Sequence, residues 1–374
     1  MRKKALISAS LAAGLLLGAA AYPAVEQIEV SQGITASAAT GTTTDGWKFS
    51  YDDTHCEITG CTDAVRGAVT VPASIEIDGK ALPVTKITSA FNESAAAQQS
   101  ITSLTVPASV TTIANSAFWK MKSLETADIQ AQITAAPSSM FSNCTSLVKV
   151  KLPDGLLTIG INAFYDCLRL KDIRLPDTVK TIGDSAFKGC ESLETINIPG
   201  SVTILPESLF YGCSALKTVS IGEGVMTMSS YVFQNCIALE EVTFPKSMTK
   251  VSSPLMFSGC KSLKSLTFEN PETAIEYISG TEEKPVTFYG YEGSTAEQYV
   301  KANGGRSYLV FKSIGEKPAP EPVKDYGMFC DANGDGTVDI IDVQLILKYY
   351  VEDFAGNKPS WYEITGNPKA PDAP

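Results

Sequence analysis

The stretch that decides the fold runs from Ile182 to Pro199 and reads IGDSAFKGCESLETINIP. Its apolar residues stand first three apart and then two apart, at Phe187, Cys190 and Leu193 and at Ile196 and Ile198. Residues two apart share one face of a strand, so the second half predicts a short strand, whereas the first half has turn or helix spacing. A unit of this size cannot bury its apolar face alone, so it predicts that similar units stack on it.

The same pattern recurs through the middle of the chain with a period of 23 residues. Its phenylalanines are Phe118, Phe141, Phe164, Phe187, Phe210 and Phe233, with Phe257 after 24 residues and Phe91 27 residues before Phe118. Counted from each phenylalanine as position 0, position 6 is leucine, positions 9 and 11 are apolar, and position 3 is cysteine at Cys144, Cys167, Cys190, Cys213, Cys236 and Cys260. A further apolar pair in each unit, such as Val179 and Ile182, predicts a second strand on the opposite wall. The sequence therefore predicts a β-rich repeat solenoid whose unit length is typical of leucine-rich repeats.

The repeats resemble the BspA-like leucine-rich-repeat family, whose units read roughly I-G-x-x-A-F-x-x-C-x-x-L-x-x-I-x-L-P. The stretch from Ile182 to Pro199 follows that pattern, and the segment from Thr287 to Tyr299 resembles the closing cap of the family. The resemblance implies a protein for binding or adhesion that is not an enzyme.

The predicted segments differ in composition as well as in pattern. They are a signal peptide at 1–38, an N-terminal β cap at 39–87, the leucine-rich-repeat solenoid at 88–285, a C-terminal cap at 286–314, a Pro-rich linker at 315–328, a dockerin-like calcium-binding repeat at 329–356 and a tail at 357–374. The signal peptide prediction depends on Arg2, Lys3 and Lys4 before an apolar run, with cleavage after Ala21 or Ala38. The alternative is an N-terminal membrane anchor, for which the run is short. We expect an exported chain with no membrane span after signal removal.

Charge and composition exclude several classes of function. Lysine and arginine number 30 against 41 aspartates and glutamates, so the formal net charge is −11, which argues against nucleic acid as a partner. His55 is the single histidine in the sequence, which weakens any mechanism built on a histidine triad. A glycoside hydrolase needs two carboxylates across a cleft, and the acidic residues fall at irregular repeat positions. We therefore expect a non-catalytic monomer and hold a polysaccharide-degrading hydrolase as the weakest alternative.

The cysteines at position 3 favour packing over disulfide or metal chemistry. Equivalent positions in stacked turns lie about 4.8 Å apart, whereas disulfide-bonded Cβ atoms lie about 3.8 Å apart. Free cysteine is also one of the residues most often buried. Cys56 and Cys61 could pair within the N-terminal cap, and Cys330 has no evident partner.

Positions 8 and 10 of each repeat lie between the buried positions and are therefore predicted to face solvent. A charged band stands among otherwise small polar residues there, at Asp128, Lys149, Lys151, Asp172 and Arg174. We interpret it as a weak candidate surface for an unknown protein ligand, with ordinary solvation as the alternative. Aromatic residues for stacking sugars are missing from these positions between 126 and 267.

A calcium motif follows the predicted linker. The loop reads DANGDGTVDIID from Asp331 to Asp342, and an EF-hand loop takes its oxygen ligands from positions 1, 3, 5, 7, 9 and 12. Those positions hold Asp331, Asn333, Asp335, Thr337 (through its carbonyl), Asp339 and Asp342. Gly336 occupies the sixth position, where the turn is sharp. The motif predicts a Ca²⁺ site, with an acidic surface turn as the alternative.

Aspartate at the last position of the loop, with an apolar helix pattern behind it, resembles a dockerin repeat. The resemblance implies docking to a cohesin module of a cellulosome-type scaffold, in a setting of polysaccharide degradation. The residues at the positions that contact cohesin in that family are Ile340, Ile341, Leu347 and Lys348. A dockerin carries two such loops and this sequence has one, so a free or cell-surface adhesin whose calcium loop is only structural remains the second hypothesis.

Overall fold

The computed structural model describes residues 39–88, 91, 95–253, 255–278, 285–303 and 309–318. These residues form a β-solenoid of about 9 turns with a 23-residue period, as the sequence predicts. Each turn except that of Phe164 contributes one strand to a long ladder, formed around positions 8 to 11, and each turn contributes a shorter strand to a second ladder just before the phenylalanine. The predicted signal peptide, the calcium loop, the cohesin-binding positions and Cys330 lie outside the described residues.

The long ladder carries the strands β4 (Gly67–Thr70), β7 (Ile101–Val106), β9 (Thr126–Ile129), β11 (Lys149–Lys151), β14 (Thr195–Ile198), β16 (Thr218–Ile221), β18 (Glu241–Phe244), β20 (Ser265–Phe268), β22 (Val286–Glu292) and β23 (Leu309–Glu316). The short ladder carries β6 (Lys80–Ile87), β8 (Thr112–Ile113), β10 (Ala135–Ala136), β12 (Thr158–Ile159), β13 (Thr181–Ile182), β15 (Ile204–Leu205), β17 (Thr227–Met228), β19 (Lys250–Ser253) and β21 (Ala274–Ile278). The remaining elements are β1 (Ala39–Thr42), β2 (Trp47–Tyr51), β3 (Cys56–Cys61), β5 (Ser74–Ile77) and the helices α1 (Ala95–Ser100) and α2 (Thr295–Ala302).

Strands in both ladders run parallel, and each residue pairs with its equivalent one repeat away. In the long ladder Thr195 pairs with Thr218 and Asn197 with Ser220. In the short ladder Thr158 pairs with Thr181. Because the register equals the repeat, equivalent side chains form columns that run from turn to turn.

The N-terminal strands close one end of the two ladders. β1, β2 and β3 form an antiparallel sheet, and β6 joins β3 to β8 by parallel pairing. The hairpin between β5 and β6 turns at Asp78 and Gly79, whose φ angles of 51° and 77° suit a two-residue turn of the type that such hairpins favour. β4 pairs with β7 and so begins the long ladder. This pairing leaves the first repeat without an open edge on its N-terminal side.

The interior is a continuous stack of phenylalanine rings. From Phe118 to Phe257 successive ring centroids lie 5.3–6.0 Å apart, and all of these side chains are fully buried. The turn around each ring needs two residues in the left-handed region of φ. One lies two positions before the phenylalanine and the other two positions after it, as Ser185 and Gly189 do around Phe187 (φ 55° and 74°). These turns also bond to one another, since the Phe164 amide donates to the Ala186 carbonyl at 2.8 Å. The first half of the repeat is therefore a turn and not a helix.

The cysteine column is buried and reduced, as the packing interpretation predicts. Each thiol donates a hydrogen bond to the carbonyl of the phenylalanine one turn back, at 3.0–3.2 Å; for example, Cys190 Sγ donates to Phe164 O. Burial raises the pKa of the Cys144 thiol to about 12 and that of Cys190 well above its ordinary value. Position 3 is thus a small apolar residue that also satisfies a backbone acceptor.

The suggested Cys56–Cys61 disulfide is wrong. Both thiols are free and buried, and both lie on the single strand β3. Five residues of extended strand separate their Cα atoms by roughly 16 Å at about 3.3 Å per residue. A disulfide joins Cα atoms about 4.4–6.8 Å apart, so this strand holds the two thiols beyond reach of each other.

Candidate protein-binding face

The residues at positions 8 and 10 form the solvent side of the long ladder, where the sequence predicts them. In β14 the burial alternates, with Thr195 and Asn197 exposed and Ile196 and Ile198 buried. In β11 Lys149 and Lys151 are exposed on either side of buried Val150. We call this surface, made of the position-8 and position-10 side chains, the ladder face.

The five residues of the predicted charged band lie on the ladder face in three successive turns. β11 pairs with β9, which places Lys149 beside Thr126 and Lys151 beside Asp128. Lys149 also forms an isolated bridge with Asp172 in the next turn. Arg174, two residues further on the same face, is exposed and follows Lys151 in the column at position 10. The structure therefore brings the five residues together.

The charges within the band are unevenly paired. Lys151 Nζ lies 3.7 Å from Asp128 Oδ1, an ion pair without a hydrogen bond at that oxygen. The other oxygen, Asp128 Oδ2, accepts a hydrogen bond from Gln130 at 2.9 Å. No carboxylate of the described residues lies within 4.0 Å of the Lys149 or Arg174 side-chain nitrogens.

Two shallow grooves open on the ladder face beside these residues. The larger, about 420 Å³, lies between the segment Asp172–Leu175 and β14, and it is lined by Asp177, Gly200 and Ser220 as well as by these two segments. The smaller, about 200 Å³, lies on the other side of the same segment. Its lining comprises Lys149, Val150, Lys151, Leu152, Asp154, Asp172, Arg174 and Pro176. Asp172 and Arg174 stand between the two grooves and contribute to both.

The grooves coincide with a break in the long ladder. Residues 173–175 belong to no strand, although the equivalent residues of the next turn form β14. Among the described residues, the backbone groups of Ile173, Arg174 and Leu175 make no hydrogen bond with a neighbouring turn. The ladder is also interrupted between β16 and β18, but there each strand keeps a partner on its other side. The break at 173–175 is therefore open on both sides.

Sequence reasoning missed part of this face. The column positions placed Asn197 and Ser220 on the face, but as ordinary polar residues they gave no sign that they line the larger groove. An aromatic residue does occur in column 10 near the C-terminal end, since Tyr289 pairs with Thr267. Its ring lies 6.0 Å from the Lys312 ammonium. Extending column 10 from β20 into β22 would have found Tyr289, because the two strands pair in register and β22 continues the column into the cap.

The described residues offer little for catalysis or metal binding. No group of three or more metal-ligating side chains comes together within the described part of the chain. Burial raises the pKa of the Asp166 carboxyl, and Lys188 opposes the shift, but this residue lies at a turn and not in either groove. The buried thiols are protonated and hydrogen-bonded, which makes them poor nucleophiles. In the part of the chain that the structure describes, no helix has the length and hydropathy needed to cross a membrane.

Comparison with known protein families identifies the type of these repeats. The model of the BspA type leucine-rich repeat region matches residues 81–193 and 157–279, together more than half of the chain. The chain belongs to the BspA-type leucine-rich-repeat family. Its repeats are thus of a kind used for protein binding or adhesion, in a family that is typically non-catalytic.

A solved structure agrees with the fold of this BspA-type chain, and a second shares part of its sequence. A leucine-rich repeat protein from Bacteroides ovatus is 20% identical, with 74% of this chain and 79% of that chain covered and a TM-score of 0.52. The T. pallidum leucine-rich repeat protein is 29% identical over 54% of this chain and 87% of that chain, with a TM-score of 0.42. The first of these likenesses supports the solenoid fold alone. None of the curated proteins compared with the chain matches it significantly.

Proposed function

We propose that this BspA-type chain is an exported, non-catalytic binding protein whose ladder face contacts a protein partner. The observation that carries the proposal is the charged band, Asp128, Lys149, Lys151, Asp172 and Arg174, gathered beside two grooves on a face whose other residues are mostly small and polar. The side chains on the inner side of the same strands pack in the hydrophobic core. Solenoids use such a repeated outer surface for binding more readily than for chemistry.

The ladder face can be tested on an array of purified extracellular and bacterial surface proteins printed beside a glycan array. We expect the full-length protein to bind protein spots, and a variant with the five band residues changed to serine to lose that binding. The matched control changes Glu194, Lys217, Glu240 and Lys264 to serine. These residues form two ion pairs, at 3.1 and 2.5 Å, in the neighbouring column at position 7. Binding only to glycan spots, or equal binding by both variants, would contradict the proposal.

Export is supported by the N-terminal sequence. Arg2, Lys3 and Lys4 precede an apolar run and then small residues, which is the layout of a secretory signal. Expression of the full chain followed by N-terminal sequencing of the secreted product tests this part. Cleavage near Ala21 or Ala38 is the expected result, and retention of the uncut chain inside the cell is the contrary one.

We also propose that the C-terminal segment binds Ca²⁺ and attaches the protein to a cohesin module. The donors at Asp331, Asn333, Asp335, Thr337, Asp339 and Asp342 are all oxygens, the ligand type that Ca²⁺ requires. When bound, the ion would supply only the charge that draws these oxygens into one loop. Ile340, Ile341, Leu347 and Lys348 would then contact cohesin, as the dockerin resemblance implies.

Calorimetric titration of the full chain with Ca²⁺, followed by a panel of cohesin modules, tests the attachment. We expect Ca²⁺ binding by the wild type and by the control Asp63→Ala, and none by the double variant Asp331→Ala/Asp335→Ala. Cohesin binding should need Ca²⁺ and should be weakened by Leu347→Ala. Ca²⁺ binding without cohesin binding would support the adhesin alternative, in which the loop is only structural. Turnover of plant polysaccharide that one aspartate or glutamate substitution abolishes would favour a hydrolase.

A further inference from the structure

The unpaired cations at the break in the ladder identify the kind of partner. Four lysines on or beside the ladder strands pair with a carboxylate of a neighbouring strand or turn: Lys86 with Glu57 at 3.0 Å, Lys217 with Glu194 at 3.1 Å, Lys250 with Glu276 at 2.7 Å and Lys264 with Glu240 at 2.5 Å. Lys149 and Arg174 have no such carboxylate among the described residues. Around the smaller groove the cations Lys149, Lys151 and Arg174 outnumber the aspartates Asp154 and Asp172, beside the segment whose backbone is also open.

Like charges oppose strand pairing on the β11 side of the break. The Lys149–Asp172 bridge sets the register, so Lys151 and Arg174 are the next outward pair, in adjacent turns about 4.8 Å apart. Like charges directly opposite each other destabilise strand pairing. Lys151 lies near Asp128 on its other side, which leaves Arg174 with no compensating charge. A carboxylate placed between Lys151 and Arg174 would remove this repulsion.

We infer that the segment Asp172–Leu175 and its two grooves bind an extended acidic segment of the partner, with one carboxylate between Lys151 and Arg174. This inference rests on the proposed function and names the chemistry of the partner. The larger groove receives the main chain of that segment, since its walls combine Asn197 and Ser220 with the Asp172 carboxylate, which accepts amide hydrogens. The open backbone groups of residues 173–175 supply further donors and acceptors.

A fluorescein-labelled octapeptide of alternating glutamate and threonine, with blocked ends, is the probe, and fluorescence polarisation with the full-length protein is the measurement. Matched peptides carry glutamine or lysine in place of glutamate. We expect the glutamate peptide to bind more tightly than both, and its affinity to fall at least tenfold in Arg174→Ala and in Lys151→Ala. The control Lys312→Ala removes a cation in the same column far along the ladder, and we expect less than a twofold change. Stronger binding of the lysine peptide, or equal loss in Lys312→Ala, would overturn the inference.

A second variant tests the cause of the break without any ligand. Arg174→Glu replaces the like-charged neighbour of Lys151 with an opposite charge, so we expect slower amide hydrogen exchange at Leu152 and at position 174, whose N–H groups point across the gap between β11 and the segment Asp172–Leu175, and no binding of the glutamate peptide. Unchanged exchange at these amides would contradict the charge explanation. If no peptide binds while the protein array still depends on the charged band, the inference fails and the proposed function stands. If the charged-band variant also keeps its binding on the protein array, both the inference and the proposed function are wrong.

Discussion

The inner and outer columns of the same repeat behave in opposite ways. Inside, the phenylalanine at position 0 and the cysteine at position 3 scarcely change along the chain, because each ring stacks on the ring one turn away and each thiol bonds to the phenylalanine carbonyl one turn back. Outside, positions 8 and 10 vary from threonine and serine to lysine, aspartate and arginine. Stacking therefore constrains the buried columns and leaves the ladder face free to acquire a binding surface.

The largest expected effect is the loss of one ring from the inner stack. Phe187 is fully buried between Phe164 and Phe210, at centroid distances of 5.3 and 6.0 Å. Phe187→Ala should lower the free energy of unfolding by about 3–5 kcal/mol, the usual cost of such a truncation. Denaturant unfolding followed by circular dichroism measures it. The control Thr195→Ala lies on the ladder face of the same turn, and equal losses in the two variants would show that the inner and outer columns do not differ.

A smaller loss is expected in the cysteine column. Cys190→Ala removes the hydrogen bond to Phe164 O and the volume of the sulfur, so we expect a loss of about 1–2 kcal/mol in the free energy of unfolding. The same burial should protect the thiols from Ellman's reagent. In a Cys330→Ser variant the eight thiols that the structure describes as free and buried should react only after denaturation. Rapid reaction of the folded protein would contradict the packing interpretation.

The ladder face should contribute little to stability even where its charges are paired. Lys217→Ala removes the exposed ion pair with Glu194, and we expect a change within about 0.5 kcal/mol. Arg174→Ala, without a partner to lose, should change the free energy of unfolding by no more than that. A loss above 2 kcal/mol in either variant would mean that the outer columns also hold the solenoid together.

The smallest expected effect concerns the carboxylate of Asp52, which lies in the N-terminal cap outside the repeat columns. Hydrogen bonds from Thr54 and from the His55 amide lower the pKa of Asp52 to about 2. Because the folded pKa lies below the unfolded one, the stabilisation is present above the ordinary aspartate pKa of about 3.8 and is lost as pH falls through about 2. An NMR titration of the Asp52 carboxyl should show this pKa, and an ordinary value would contradict the hydrogen-bonded turn.

The buried columns were predictable from sequence because they obey a period. Phe164, Cys167 and Leu170 occupy the same environment as their equivalents one repeat on, so counting alone places them. The second ladder was also predictable, from apolar pairs such as Val179 and Ile182. The Cys56–Cys61 suggestion failed because a spacing of five residues is compatible with a turn or with one straight strand, and only the pairing of β3 with β2 distinguishes them.

The residues of the candidate site were predictable from the sequence, but the break in the ladder and the shape of the grooves were not. Lys149, Lys151 and Arg174 follow from the column positions, since outward charges stand apart from small polar neighbours. The break at 173–175 depends on hydrogen bonds between turns, which a pattern within one repeat does not encode. The shape of the larger groove depends in part on Gly200, where a Cβ would lie 2.1 Å from the Glu223 carbonyl oxygen.

Amide hydrogen exchange along the long ladder of the wild-type protein tests the central claim most directly. The account predicts fast exchange at Ile173 and Leu175, and slow exchange at Ile196 and Val242, which are similarly buried but lie in strands paired with the following turn. Uniform protection of all four amides would show that the ladder is closed at the charged band, and the proposed acidic-segment site would have no opening to occupy.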